Sequence, residues 1–196
     1  MNNGLYQNKY RIASARWQNW DYRWNAAYFI TGNTKNRVHY FGEIVNKKMQ
    51  LSNIGVIADI FWHEIKNHAK HVELGAFVVM PNHLHGILIL NDPNNFNKNK
   101  NNDLDVETRH TLSLESERRT IGQKRFQNQG KNSVSSIIGS YKSAISKHAH
   151  RLGFEFDWQG RFHDHVIRDK EEYQRIHNYI INNPEKWEDD KFYDKP

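Results

Sequence analysis

Apolar and polar positions alternate through the chain in a way that predicts seven main elements. Asn25 to Thr31 carries a strand pattern, ended by Gly32-Asn33. Val38 to Leu51 reads as a small hairpin or extended stretch, with Asn46-Lys47-Lys48 as its turn. Ser52-Asn53 can cap a helix from Ile54 to about His68, whose stripe is Ile54, Ile57, Ala58, Phe61, Trp62 and Ile65. Val72 to Met80 is a second strand, Pro81-Asn82 a tight turn, and His83 to Leu90 a third strand. Helical period returns over Ser133 to Arg151, with Val134, Ile137, Ile138, Tyr141 and Ile145 on one stripe and Gly153 ending it. Phe162 to Ile167 forms a fourth strand. Asp169 caps a last helix, Lys170 to about Asn183, which Pro184 stops.

The first six of these elements form the ferredoxin-like split βαβ arrangement, an α+β fold with an antiparallel sheet, to which a C-terminal helix is added. In that arrangement helices cover one sheet face and leave the other for a ligand. The expected organisation is an N-terminal extension (1–24), one domain (25–187) interrupted by a mobile Asn- and charge-rich insertion at about 91–132, and a tail (188–196).

Composition narrows the chemistry. There is no Cys, which excludes disulfides, cysteine metal sites and a thiol nucleophile. The N-terminus lacks the apolar core of a signal peptide, and no run reaches membrane-span length, so a soluble cytoplasmic protein is expected. The formal net charge is +6. Between Arg118 and Arg151 lie Arg118, Arg119, Lys124, Arg125, Lys131, Lys142, Lys147 and Arg151 with no acidic residue among them. Such a window favours a polyanion, nucleic acid first, and hence a nucleoid-associated location.

Two histidines open the third strand. Residues two apart on a strand share a face, so His83 and His85 stand side by side while Leu84, Leu88 and Leu90 face the other way. Two imidazoles on a rigid strand make half of a divalent-metal site. On the last helix Arg175, Tyr179 and Asn183 are spaced by four and share a face. Tyr179 flanks the stripe Tyr173, Ile176 and Ile180 rather than lying in it. A neutral tyrosine is a poor nucleophile, with a free pKa of about 10. A metal held by two His and one amide oxygen would polarise a phosphodiester for its attack. No Gly-x-x-x-x-Gly-Lys-Ser/Thr loop for ATP is present, and none is needed if a phosphotyrosine bond conserves the energy.

Several segments resemble the single-tyrosine HUH-type transposases, the small insertion-sequence and REP-associated kind. They are Pro81-Asn82-His83-Leu84-His85-Gly86, then Ser136 to Ala144, then Trp158-Gln159-Gly160-Arg161-Phe162-His163-Asp164-His165-Val166-Ile167-Arg168, and lastly Tyr179 to Pro184. The resemblance implies a ferredoxin-like HUH nuclease acting on single-stranded, hairpin-forming DNA with Mg²⁺ or Mn²⁺. It implies a 5′-phosphotyrosine intermediate and a free 3′-hydroxyl. His83 and His85 match the metal-binding histidines and Tyr179 the nucleophile. Asn183 stands where better-studied members carry Gln as the third ligand, with Asn182 as the alternative amide. Members often dimerise and present the tyrosine to the partner's metal site, so a homodimer acting in trans is the expectation.

Other residues compete for roles. Tyr141 is a rival nucleophile, but its stripe position favours burial. Lys142, Lys147 and Arg151 form a basic helix face for phosphates or a merely solvated one. Trp158, Arg161 and Phe162 either stack on and clamp an unpaired base or close the end of the core. His163 and His165 repeat the His-x-His spacing and line a DNA groove, support the site, or are plain strand residues. Two further readings stay beside the DNA-nicking enzyme: a hairpin-binding module of the same fold without catalysis, and a His-metal phosphodiesterase that uses activated water.

Overall fold

The structure is a computed structural model that describes residues 20–93 and 132–193. Most of the 1–24 extension and of the 91–132 insertion, with five of the eight basic residues of the charged window, lies outside them. The strands are β1 (Ala26–Asn33), β2 (Gly42–Val45), β3 (Lys48–Leu51), β4 (Val72–Val79), β5 (His83–Leu90) and β6 (His163–Ile167). The helices are α1 (Asn53–His68), α2 (Val134–Arg151) and α3 (Lys170–Asn182). Among the described residues no helix is long and apolar enough to cross a membrane.

Each helix starts where its sequence offers a cap. Ser52 Oγ accepts from Gly55 N at 3.1 Å, Ser133 Oγ from Ser136 N at 3.2 Å, and Asp169 Oδ1 from Glu172 N at 2.8 Å. Asn46 and Lys47 both take left-handed φ, 50° and 62°, the geometry of a tight two-residue hairpin between β2 and β3.

The main sheet runs β4-β5-β1-β6 with every neighbouring pair antiparallel, which is the ferredoxin-like order. The β2-β3 hairpin is inserted between β1 and α1. β1 extends through Gly32 and Asn33, two residues past the stop read from the sequence, because Gly32 pairs with Leu84 and Asn33 with His83. The β5 ladder offers these residues partners that local turn propensity does not see.

α1 and α2 cover one face, over a core that includes Tyr28, Ile30, Trp62, Leu84, Leu88, Ile138 and Tyr141. Gly86 admits the Trp62 ring there; a Cβ at this position would lie 2.3 Å from it. The second face is not left open as expected. α3 packs Ile176 and Ile180 on Ala76, Ile87 and Ile167, because the odd positions of β5 beyond the histidines are apolar and need cover.

Tyr141 belongs to the core. It is 4% exposed, donates its hydroxyl to Ala58 O at 2.9 Å, and meets the Trp62 ring edge-on. Tyr141→Ala should therefore cost about 3–5 kcal/mol and Tyr141→Phe only about 1 kcal/mol, read from urea unfolding midpoints. Equal, negligible costs for both would contradict the packing.

Candidate active site

The histidine pair is built by the turn that precedes it. Met80 N donates to His83 O at 2.8 Å and closes the Pro81-Asn82 turn. Asn82 is almost fully buried and fixes three partners at once. Its carbonyl accepts from Thr34 N and Thr34 Oγ1, both at 2.9 Å. Its Nδ2 donates to Phe192 O at 2.8 Å, so its Oδ1 is the atom that faces His83 Nδ1, also at 2.8 Å. An amide oxygen only accepts, so His83 Nδ1 carries the proton and Nε2 keeps its lone pair. That Nε2 is buried and has no hydrogen-bond partner. His85 Nδ1 is held by Thr31 Oγ1 at 2.9 Å, and the two ring centroids are 4.6 Å apart.

Burial sets the charge state of both rings. His83 is pushed down to about 3 by desolvation, helped by Lys191 and Arg37. His85 is held well below the usual imidazole range by desolvation, then by its neighbour His83. Neutral imidazoles with free nitrogen lone pairs are what a divalent ion requires. The same shift makes the fold acid-sensitive. An unfolded imidazole takes a proton near pH 6.5 and the folded site refuses it, so this stability is present above about pH 6.5 and lost as pH falls toward 3. The loss approaches about 1.4 kcal/mol per pH unit for each such ring. The urea midpoint should fall steadily from pH 6.5 to 4, and His83→Gln should flatten that slope. A midpoint unchanged by pH would contradict the buried neutral pair.

α3 delivers the tyrosine. Ile176 and Ile180 anchor the helix on the sheet, which turns Tyr179 to the rim with 41% exposure. Its hydroxyl lies 3.2 Å from His85 Nε2 and 3.1 Å from Asp190 Oδ2. Phe29 stacks on His85 and meets the Tyr179 ring edge-on. Burial, then the Asp190 carboxylate, raises the Tyr179 hydroxyl well above the ordinary phenol range. Within one chain, Tyr179 lies against His85, the ring centroids 5.2 Å apart.

An oxygen donor that the sequence did not single out stands beside the pair. Asp190 places a carboxylate oxygen with the two histidine nitrogens, all within 4.8 Å of one another. Asn183, 2% exposed, donates its Nδ2 to Asp190 Oδ2 at 2.9 Å, and its own Oδ1 is buried without a hydrogen-bond partner. Asn182 is exposed and outside this cluster. Asp190 fell in the segment read as a tail. The 3-10 turn Pro184–Asp189 folds that segment back over the histidines, and Phe192 comes to rest 4.6 Å from the His83 ring. No spacing signalled it. Two imidazoles, one of them with its Nε2 buried and without a hydrogen-bond partner, and up to two oxygen donors fit a divalent cation.

The basic candidates are scattered. Lys142 Nζ donates to Gln159 O and Arg161 O and lies over the Trp158 ring, and burial pushes its ammonium down to about 8. It braces the loop before β6. Lys147 and Arg151 are exposed on α2, the layer across the sheet from the histidines. Arg161 is exposed with a left-handed φ of 69°. Arg175 is exposed on α3 and bridges to Glu172 at 3.3 Å. Trp158 and Phe162 pack against the main core. His163 and His85 both pair with Thr31, which sets the second His-x-His on the face of the first. His165 Nε2 meets Glu172 Oε1 at 2.9 Å and ties β6 to α3.

Comparison with known proteins adds a relative and a fold. An uncharacterized protein of Haemophilus influenzae is 33% identical over 181 residues, covering 92% of each chain. The chain belongs to the family of that protein. A solved structure of a REP-associated tyrosine transposase bound to a REP hairpin superposes with a TM-score of 0.51 at 20% identity, over 83% of this chain and 68% of that one. The two share a fold. No protein-family model matches the chain.

Proposed function

We propose, on the premise of that shared fold, that the protein is a transposase-like endonuclease and ligase of single-stranded DNA that works by tyrosine attack. The observation that carries this reading is the Tyr179 hydroxyl 3.2 Å from His85 Nε2, beside the orphaned Nε2 of His83. His83 and His85 would hold a Mg²⁺ or Mn²⁺ ion, with Asp190 or Asn183 supplying oxygen. When bound, the ion supplies Lewis-acid polarisation of the scissile phosphate.

The chain's own groups do the rest. Tyr179 Oη attacks phosphorus as its proton passes toward Asp190 Oδ2. The bond from phosphorus to the 3′-oxygen breaks, and that oxygen leaves as a 3′-hydroxyl after taking up a proton. The 5′-phosphate stays on Tyr179. One phosphodiester replaces another, so the reverse attack by a 3′-hydroxyl rejoins DNA without ATP. Asn82 and Thr31 keep the imidazoles oriented, and Phe29 fixes the planes of His85 and Tyr179. Arg175, one turn before Tyr179 and exposed, would meet a phosphate of the bound strand, and Arg161, Lys142, Lys147 and Arg151 would track DNA further away.

Hairpin-forming single strands from the gene's own flanks, incubated with Mn²⁺ and run on a denaturing gel, test this. A covalent protein–DNA band is expected. Cleavage without the band would assign the chemistry to activated water, and hairpin binding without cleavage would leave a binding module.

A further inference from the structure

β1 sends every second side chain to the sheet face that carries the histidines. Ala27 and Phe29 pack there in the cluster under α3, and Thr31 Oγ1 reaches His85 Nδ1 at 2.9 Å. Asn33 is the next residue on that face, and its register partner is His83. Thr34 N donates to Asn82 O, while Asn33 O accepts from Gln159 N on the other side of the strand. Asn33 and His83 therefore exchange no backbone hydrogen bond with each other. In such a pair the Cα atoms approach to about 4.5 Å and the side chains lie closest. Thr31 and His85 form the same kind of pair two residues away, and their side chains meet.

Asn33 Oδ1 is buried without a hydrogen-bond partner, and so is His83 Nε2. Both atoms offer an electron pair and neither carries a proton, since the His83 proton sits on Nδ1 toward Asn82 Oδ1. Neither can satisfy the other. Two covered acceptors on facing residues cost folding free energy, and a cation is the partner that relieves both at once. Asn183 Oδ1, carried in at the end of α3, is a third buried acceptor without a partner. The chemistry of the donors matters as well. Two imidazoles alone suit Zn²⁺, Cu²⁺ or Ni²⁺, whereas Mg²⁺ and Mn²⁺ take six ligands and prefer oxygen.

We propose that Asn33 is a further ligand of the metal centre, its Oδ1 holding the ion from the sheet beside His83, and that this oxygen biases the site toward Mn²⁺ and Mg²⁺ over Zn²⁺. The inference rests on the metal assignment of the proposed function and is independent of its DNA chemistry. An amide oxygen adds a hard donor without adding charge. Fixed in the ladder between β5 and Gln159, Asn33 supplies that donor from the most rigid layer of the fold, while Asp190 comes from the returning end segment.

The test needs no DNA. Mn²⁺ affinity is measured by the loss of free-ion EPR signal, and Zn²⁺ affinity by competition with a chromophoric chelator. Asn33→Val keeps a strand-forming residue and removes the oxygen. It should bind Mn²⁺ about tenfold more weakly than the parent and Zn²⁺ no more than about twofold more weakly. Asn33→Ala should repeat that loss. Asn33→Asp keeps an oxygen at the position and should bind Mn²⁺ at least as tightly as the parent. Melting temperatures separate this role from a structural one. Metal-free Asn33→Val, relieved of a covered acceptor, should melt no lower than the metal-free parent, and its rise on adding Mn²⁺ should be smaller. Unchanged Mn²⁺ affinity in Asn33→Val and Asn33→Ala would overturn the ligand. Equal losses for Mn²⁺ and Zn²⁺ would overturn the bias, and a metal-free Asn33→Val that melts well below the parent would make the side chain structural. Undiminished Mn²⁺ binding by His83→Ala, His85→Ala protein would instead overturn the metal assignment beneath the proposal, whatever Asn33 does.

Discussion

Tyr179→Phe should fold, bind Mn²⁺ and hairpin DNA as the parent does, and form no covalent adduct. The change removes one oxygen from a ring that is 41% exposed and is held by Phe29 and His85. What is lost in the fold is the hydrogen bonding to Asp190 and His85, worth about 1 kcal/mol in a setting open to water. What is lost in the reaction is the attacking atom, so adduct formation should vanish rather than decline. Tyr141→Phe supplies the contrast. Its hydroxyl serves Ala58 O on the far side of the sheet, and its activity should survive. Mass spectrometry of the nuclease-trimmed adduct decides the matter. A nucleotide on Tyr141, or on any residue of a Tyr179→Phe protein, would remove Tyr179 from the role.

The second large effect is expected at the metal. His83→Ala, His85→Ala protein should lose more than about 100-fold in Mn²⁺ affinity, since even changes to residues behind a metal ligand cost about 10–100-fold. Cleavage should fall below detection while hairpin binding persists. Both side chains are buried, so the double variant will also lose some stability through the space left behind. A thermal melt in the same buffer separates unfolding from loss of the ion. Full cleavage by a well-folded double variant would exclude the pair as ligands.

Much of this site follows from local rules. Period two places His83 and His85 on one face, and the register of β5 against β1 bears this out. Period 3.6 puts Tyr141 in a buried stripe and Tyr179 beside one, and the structure buries the first and leaves the second at the rim. The starts of α1 and α3 were readable from Ser52 and Asp169 because a cap is a contact between residues three apart. Other features depend on partners far along the chain. The extension of β1 through Asn33 needed the β5 ladder, and the closure of the second sheet face needed α3 to meet Ile87. Asp190, Phe192, Arg37 and Lys191 lie in turns and in an end segment with no period, so nothing local tells where their side chains go. A helix or strand repeats its own geometry and announces its faces in sequence. A returning segment is placed only by what it packs against, here Asn82 holding Phe192 O and Asn183 holding Asp190, and those contacts exist only once the chain has folded.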